Sequence, residues 1–175
     1  ECFDQLESVQ EALLDGMRRK MRQQQYQLDS IPLEILQNAD DAAVELMACS
    51  ELSSQELDLV RKFVVAWSPG KVTFVFGGRP INDACGESGD RGSGWRRDLV
   101  KMLLLNGSDK NIEAEDDVTG KFGLGFKSVF LLSDSPRVLS RNLGFETVGA
   151  IWPRRLSDAA RAELENAIAS EFGKL

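Results

Sequence analysis

Apolar residues recur at helical spacing over the first part of the chain. Between about residues 3 and 28 they lie three or four positions apart, with charged residues and glutamines between them. This pattern predicts an amphipathic helix within an N-terminal unit of residues 1–29. Pro32 suits the first turn of a helix, so a second helix should begin at Ser30 or Ile31. The apolar positions of the first helix are Phe3, Leu6, Val9, Leu13, Leu14, Met17 and Met21.

The middle of the chain alternates between β-type and loop-type composition. Two runs of β-branched and aromatic residues, 63–67 and 72–76, flank Pro69-Gly70 and predict a hairpin. Residues 77–94 are rich in Gly, Asp, Asn and Ser and predict a loop. A helical pattern follows over 95–105 and should end at Asn106-Gly107.

The last third predicts a flap, two strands and a helix. Residues 108–120 are polar and acidic and are expected to form a mobile flap. Residues 126–132 should be helical, and 137–140 and 145–152 should be strands with Asn142 and Gly144 near the turn. A helix is expected over 156–172, with Ser157 or Asp158 near its cap. We therefore divide the chain into 1–29, a main domain of 30–155 and a C-terminal helix of 156–175.

Charge and composition narrow the possible functions. The 175 residues carry a net charge of −7, which opposes binding to a nucleic-acid backbone but leaves a short anionic ligand possible. The chain has no histidine, so a catalytic base would have to be Glu, Asp, Lys or Tyr. Three cysteines without ligand spacing indicate a reduced, cytoplasmic protein. No apolar stretch reaches the length of a membrane span, and we expect no membrane partner.

Three polar residues of the second predicted helix share one face. Glu34, Asn38 and Asp41 differ by four and three positions. An isolated pattern of this kind is usually a solvated helix surface. In a functional interpretation, the Asn38 side-chain oxygen binds Mg²⁺ and Glu34 orients or deprotonates a water for attack on a phosphate.

A glycine-rich run lies about eighty residues further on. In a purely structural interpretation, this run forms a tight connection before a buried helix through Gly120, Gly123 and Gly125. Alternatively, free backbone amides followed by a helix could hold phosphates. The run is not a P-loop, because Phe126 separates Gly125 from Lys127.

Together the two segments resemble the N-box and the later glycine box of the GHKL (Bergerat-fold) ATPases. The strings LQNADDA and GKFGLGFKSV are most similar to the Hsp90-like branch typified by the N-terminal repeats of sacsin. The resemblance covers about residues 30–153. It implies an α/β fold, an α+β two-layer sandwich in which a mixed, mostly antiparallel sheet is covered on one face by helices. It also implies ATP and Mg²⁺ as cofactors.

The resemblance also assigns site residues. It implies that Glu34 is the water-activating base, that Asn38 is the Mg²⁺ ligand and that Asp41 supports the nucleotide site. Ser108 and Lys110 match a segment at the start of the ATP lid, although a solvated loop role is as good an interpretation for both. The phosphate-lining segment would comprise Gly120, Phe122, Gly123, Leu124, Gly125 and Phe126.

One part of the chain departs from the family pattern. Members of the family have an Asp-x-Gly motif whose aspartate reads adenine; here Gly78 matches the glycine, but Phe76 or Gly77 stands in place of the aspartate. Base specificity is therefore open. Asp83 lies nearby, but a loop aspartate is more often a turn residue.

The expected activity is slow, Mg²⁺-dependent ATP hydrolysis coupled to closure of residues 108–119. Members of the Hsp90-like branch use this motion to remodel or regulate partners, here a client protein or other domains of a longer chain, and a homodimer is possible. Two alternatives stay open. One is a degenerate nucleotide-binding switch without turnover, and the other is a protein-interaction module that binds no nucleotide.

Overall fold

A computed structural model describes residues 2–83, 98–103 and 125–173. The helices are α1 Cys2–Gln23, α2 Ile31–Cys49, α3 Ser54–Val60, α4 Asp98–Leu103 and α5 Asp158–Phe172. Two 3-10 helices span Leu28–Ser30 and Phe126–Leu131. The strands are β1 Phe63–Ser68, β2 Lys71–Phe76, β3 Arg137–Ser140, β4 Leu143–Val148 and β5 Trp152–Arg155.

The described strands form two antiparallel sheets. β1 and β2 make the predicted hairpin, with Phe63 opposite Phe76 and a turn in which Gly70 has φ +74°. The second sheet has the order β3-β4-β5. The expected mixture of helices and antiparallel strands is confirmed. One sheet was expected. In the described part of the chain, the strands form two separate sheets instead.

The main core lies where α1, α2 and the second 3-10 helix meet. Met21, Ile31 and Phe130 are completely buried there. Burying a side chain of this size stabilises the fold by about 1.5–3 kcal/mol. The second half of α1 is thus part of the same core as α2. The remaining buried members are Leu14, Met17, Ile35, Val129 and Ala150.

Sequence patterns missed two elements. α3 was not predicted, although Ser53 and Glu56 form a capping box in which the Ser53 amide donates to the Glu56 carboxylate at 2.8 Å. The expected strand 145–152 is β4 followed by the start of β5, because Gly149 and Ala150, with φ +59° and +67°, turn the chain between them.

The other predicted elements agree closely with the structure. α2 begins at Ile31 with Pro32 in its first turn, and Ser157 caps α5 by accepting a hydrogen bond from the Ala160 amide at 3.2 Å. The helix predicted over 95–105 is described as Asp98–Leu103, and the flap 108–120 lies outside the described residues. Within the described ranges, none of the helices is both long and apolar enough to cross a membrane.

Candidate functional site

The second helix, α2, presents a buried face and a polar face. The buried face follows a spacing of four residues, Ile31, Ile35, Ala39 and Ala43. The polar face carries Glu34, Asn38 and Asp41, all of which are half-buried. The predicted shared face is therefore present, and it is not a freely solvated surface.

Gly125 approaches this polar face closely. A β-carbon placed on Gly125 would lie 2.9 Å from Glu34 Oε2, 3.8 Å from Asn38 Nδ2 and 4.0 Å from Asn38 Oδ1. A side chain at this point would push the Glu34 carboxylate aside, whereas a glycine leaves it in place. Residues about ninety positions apart in the sequence thus meet, as the proposed convergence of the two motifs requires.

The turn at Gly125 is held from inside the protein. The buried Ser128 hydroxyl donates to the Gly125 carbonyl at 2.6 Å, and the Ser128 amide donates to the same oxygen at 3.1 Å. Phe126 is half-buried and packs against the main core. These contacts fix the position of Gly125 relative to α2. Ser128 therefore stabilises the turn at Gly125, and sequence reasoning did not select it.

Lys127 is a buried amine two residues beyond Gly125. Its side chain is fully buried and its Nζ has no hydrogen-bond partner in the described structure. Desolvation, with a smaller contribution from the charge of Lys20, lowers its pKa to about 8. A lysine in this state costs stability at neutral pH, because its charge is removed from water without compensation.

Asp41 also carries an unsatisfied polar atom. Its Oδ2 is buried and accepts no hydrogen bond from any described residue. Desolvation, then the charges of Asp40 and Glu45, raise the pKa of its carboxyl. An orphan carboxylate oxygen on the same face as Asn38 can accept a hydrogen bond from a ligand or from an ordered water.

A buried arginine fixes the other end of this face. Arg79 is only 7% exposed and forms ion pairs with Glu45 of α2 and, at 2.8 Å, with Asp98 of α4. Burial opposes its charge, but hydrogen bonds to Asp98 and Glu45 outweigh that effect and raise its pKa. The Arg79 amide also donates to Ala42 O at 2.9 Å. The segment after β2 is thereby attached to α2 close to Asn38.

Gly78 is required by packing in this segment. It has φ +145°, and a β-carbon there would lie 2.9 Å from the Ala42 side chain and 3.0 Å from the Ala42 carbonyl carbon. Gly78 therefore lies against α2 at Ala42 and Ala43. Asp83, by contrast, forms an ion pair with Arg141 at 2.6 Å.

The positions that could hold a base-reading aspartate are occupied differently. The Phe76 ring stacks on Phe63 with centroids 6.0 Å apart. Gly77 has no room for a side chain, because a β-carbon would lie 2.6 Å from Leu59 O and 2.7 Å from Val60 Cα. Position 76 thus carries an aromatic ring, and position 77 cannot take any side chain without rearrangement of the backbone.

Tyr26 is a further neighbour of the polar face. Burial raises the pKa of its phenol, and the negative charge of Glu34 raises it further. The Tyr26 amide is held by Met21 O at 3.1 Å in the turn after α1. Tyr26 is the only tyrosine in the chain, and its sequence position gives no indication of this proximity.

The described residues thus unite part of the predicted site. Glu34, Asn38 and Gly125 meet, Asp41 lies further along the same face of α2, and Gly78 packs against that helix at Ala42. No three acidic or cysteine side chains cluster into a ready-made metal site in the described part of the chain. The predicted residues that lie outside the described ranges are Ser108, Lys110, Gly120, Phe122, Gly123 and Leu124.

Comparison with other proteins gives no relative from which a role could be transferred. No family model, no curated protein and no solved structure matches this chain.

Proposed function

We propose that this chain is a nucleotide-binding domain of the GHKL type that binds Mg²⁺-ATP against the polar face of α2 and hydrolyses it slowly. The observation that carries the proposal is the contact of Gly125 with both Glu34 and Asn38. A carboxylate, a carboxamide and a backbone without a side chain lie within one small space. This combination suits a phosphate chain and its counterion better than it suits a solvated helix surface.

The residues present fit a Mg²⁺-phosphate group. Mg²⁺ keeps most of its ligands as waters and phosphate oxygens and takes only one or two from the protein. Asn38 Oδ1 would be the protein ligand. When bound, the ion would neutralise charge on the phosphates. The phosphates would approach Gly125 on the side where a β-carbon would stand, between its backbone and the side chains of Glu34 and Asn38.

Glu34 is the residue proposed to act on water. Its carboxylate would accept a proton as the water oxygen bonds to the terminal phosphorus and the bond to the bridging oxygen breaks, releasing ADP and phosphate. Asn38 holds the phosphates in line, and Ser128 keeps Gly125 in place through its carbonyl. Such chemistry depends on positioning.

The residues at positions 76 and 77 favour a nucleotide site with weak selection among bases. Because Phe76 is stacked and Gly77 has no space for a side chain, the aspartate that selects adenine in the GHKL pattern has no counterpart at either position. We therefore expect weak selection among bases, with Kd values for ATP and GTP within about threefold, or about 0.7 kcal/mol. A nucleotide switch without turnover would share this property.

The test separates binding from turnover. Calorimetric titrations with ATP, ADP and GTP in the presence of Mg²⁺ measure binding, and phosphate release measures hydrolysis. Glu34→Ala should retain binding within a few-fold and lose turnover, whereas Gln37→Ala, an exposed residue of the same helix, should change neither.

Three other outcomes have distinct meanings. Binding without turnover in the unmodified chain would identify the switch. Turnover that persists in Glu34→Ala would exclude Glu34 as the base. No binding of any nucleotide would contradict the proposal and favour a protein-interaction module.

A further inference from the structure

One face of α1 is occupied by arginines. The buried face of this helix is formed by Leu14, Met17 and Met21. A different side of the helix carries four charged residues. Their positions differ by three, one and three, so they lie on the same side over two helical turns. These residues are Asp15, Arg18, Arg19 and Arg22.

Two of these guanidinium groups have no partner among the residues that the structure describes. Arg19 and Arg22 are exposed, and neither side chain makes an ion pair or a hydrogen bond in the described structure. Arg18 is held in place, because its Nε donates to Phe130 O at 2.9 Å and its Nη2 pairs with Asp134. The protein has a net charge of −7, so this local excess of positive charge runs against its overall balance.

The arginines line a concave surface. Together with Asp15 and Leu131 they border a cleft of about 400 Å³, within the range of small-molecule sites. Residues 15–22 cover about 10 Å along a helix. Leu131 and Gly125 lie at opposite ends of the second 3-10 helix, about 12 Å apart at the usual rise. The cleft is therefore distinct from the polar face of α2.

We propose that this cleft is a second anion site, which binds a compact oligophosphate. Guanidinium forks match phosphate oxygens geometrically, and two free forks lie beside a third that is already ordered. An oligophosphate concentrates several charges within about 10 Å, whereas the carboxylates of an extended peptide are spaced about 7 Å apart on one side. Asp15 lies at the N-terminal end of this face, so the favourable region is the part bordered by Arg18, Arg19 and Arg22.

Two alternative roles for the arginines fit fewer of these features. Basic residues in the last turn stabilise a helix through its dipole, which would assign a role to Arg22 but not to Arg19, one turn earlier. An amphipathic helix that binds membranes inserts an apolar face into the lipid, but Met17 and Met21 are buried in the core. A soluble phosphate compound therefore suits the cleft better than a lipid surface.

The experiment uses sodium tripolyphosphate as the probe, titrated calorimetrically into the full chain in EDTA so that no divalent cation supports binding at Asn38. Arg19→Gln/Arg22→Gln should weaken binding at least tenfold, because two charge-assisted contacts are lost. Arg61→Gln/Arg155→Gln is the charge-matched control, since both residues are exposed and lie away from α1 in the sequence. This control should stay within twofold of the unmodified chain.

The results decide between a site and a general charge effect. Equal weakening in the two double variants, or no saturable binding of tripolyphosphate by the unmodified chain, would overturn the proposal. Binding to phosphatidylserine vesicles without binding to tripolyphosphate would also overturn it, in favour of a lipid surface. Asn38→Ala should leave tripolyphosphate binding in EDTA unchanged, so this proposal and the nucleotide proposal can fail separately.

Discussion

Replacing Gly125 by alanine should separate stability from function. Gly125 has φ −56° and ψ −55°, a conformation that alanine adopts readily. The substitution restricts the unfolded chain and on that account stabilises by about 0.4–1 kcal/mol. Opposing this, the new methyl group would lie 2.9 Å from Glu34 Oε2. Moving the end of one flexible side chain off its preferred rotamer costs about 0.5–1.5 kcal/mol.

The two contributions nearly cancel, so the free energy of unfolding should change by less than about 1 kcal/mol. Function should respond more strongly. The Glu34 carboxylate must move by about 0.5 Å to reach an ordinary contact distance, and a displacement of about 1 Å in a catalytic group can cost about 100-fold. The methyl group also occupies space proposed for phosphate. We expect nucleotide affinity and phosphate release to fall at least tenfold.

The assay pairs urea unfolding with calorimetric binding and phosphate release. Gly16→Ala is the control, because Gly16 lies on the exposed side of α1 and a β-carbon added there would have no neighbour within 4 Å. It should raise stability by about 0.5–1 kcal/mol without changing binding. Unchanged affinity and turnover in Gly125→Ala would refute the assignment of this contact to the site. A loss of stability above about 3 kcal/mol would refute the estimate of available space.

Further predictions concern the residues around the site. Gly78→Ala should lower the free energy of unfolding by more than about 2 kcal/mol, because φ +145° and the contact with Ala42 both disfavour a side chain. A loss below about 1 kcal/mol in urea unfolding would contradict this. Arg79→Met should cost about 3–5 kcal/mol by removing the buried guanidinium that pairs with both Glu45 and Asp98, and a near-neutral effect would contradict this. Lys127 has a folded pKa of about 8 below its unfolded value of 10.5, so the unfolded chain binds more protons in this window. The free energy of unfolding should therefore rise by at most about 3 kcal/mol between pH 8 and 10.5. Lys127→Met should be more stable than the unmodified chain at pH 7 and should lose this advantage above pH 10.5. A flat pH profile, or a less stable Lys127→Met, would contradict the burial of an unpaired charge.

Local signals in the sequence predicted most of the secondary structure. Pro32 sets the start of α2, and Pro69-Gly70 sets the hairpin turn, because each restricts or permits particular backbone angles wherever it occurs. The Ser53-x-x-Glu56 capping box is an equally local signal, and it would have identified α3. The turn at Ala150 could not be read from composition, since a positive φ at alanine is imposed by its surroundings.

The candidate site was predictable only in part. Helical spacing was enough to place Glu34, Asn38 and Asp41 on one face of α2. Their meeting with Gly125 could be inferred only from a resemblance between motifs, because periodicity does not specify long-range contacts.

The surroundings of the site carried no sequence signal. The ion pairs of Arg79, the proximity of Tyr26 to Glu34 and the burial of Lys127 depend on tertiary packing. Tertiary packing can override local preference, and a single lysine or arginine in a sequence is ordinarily a surface residue.

The most direct test of the nucleotide site is the Mg²⁺ dependence of ATP binding in the unmodified chain, in Asn38→Ala and in Gln37→Ala. We predict that Mg²⁺ tightens ATP binding at least tenfold in the unmodified chain and in Gln37→Ala, and that Asn38→Ala loses most of this gain. An equal gain in Asn38→Ala, or no ATP binding by the unmodified chain, would contradict the claim that α2 and Gly125 together hold a nucleotide.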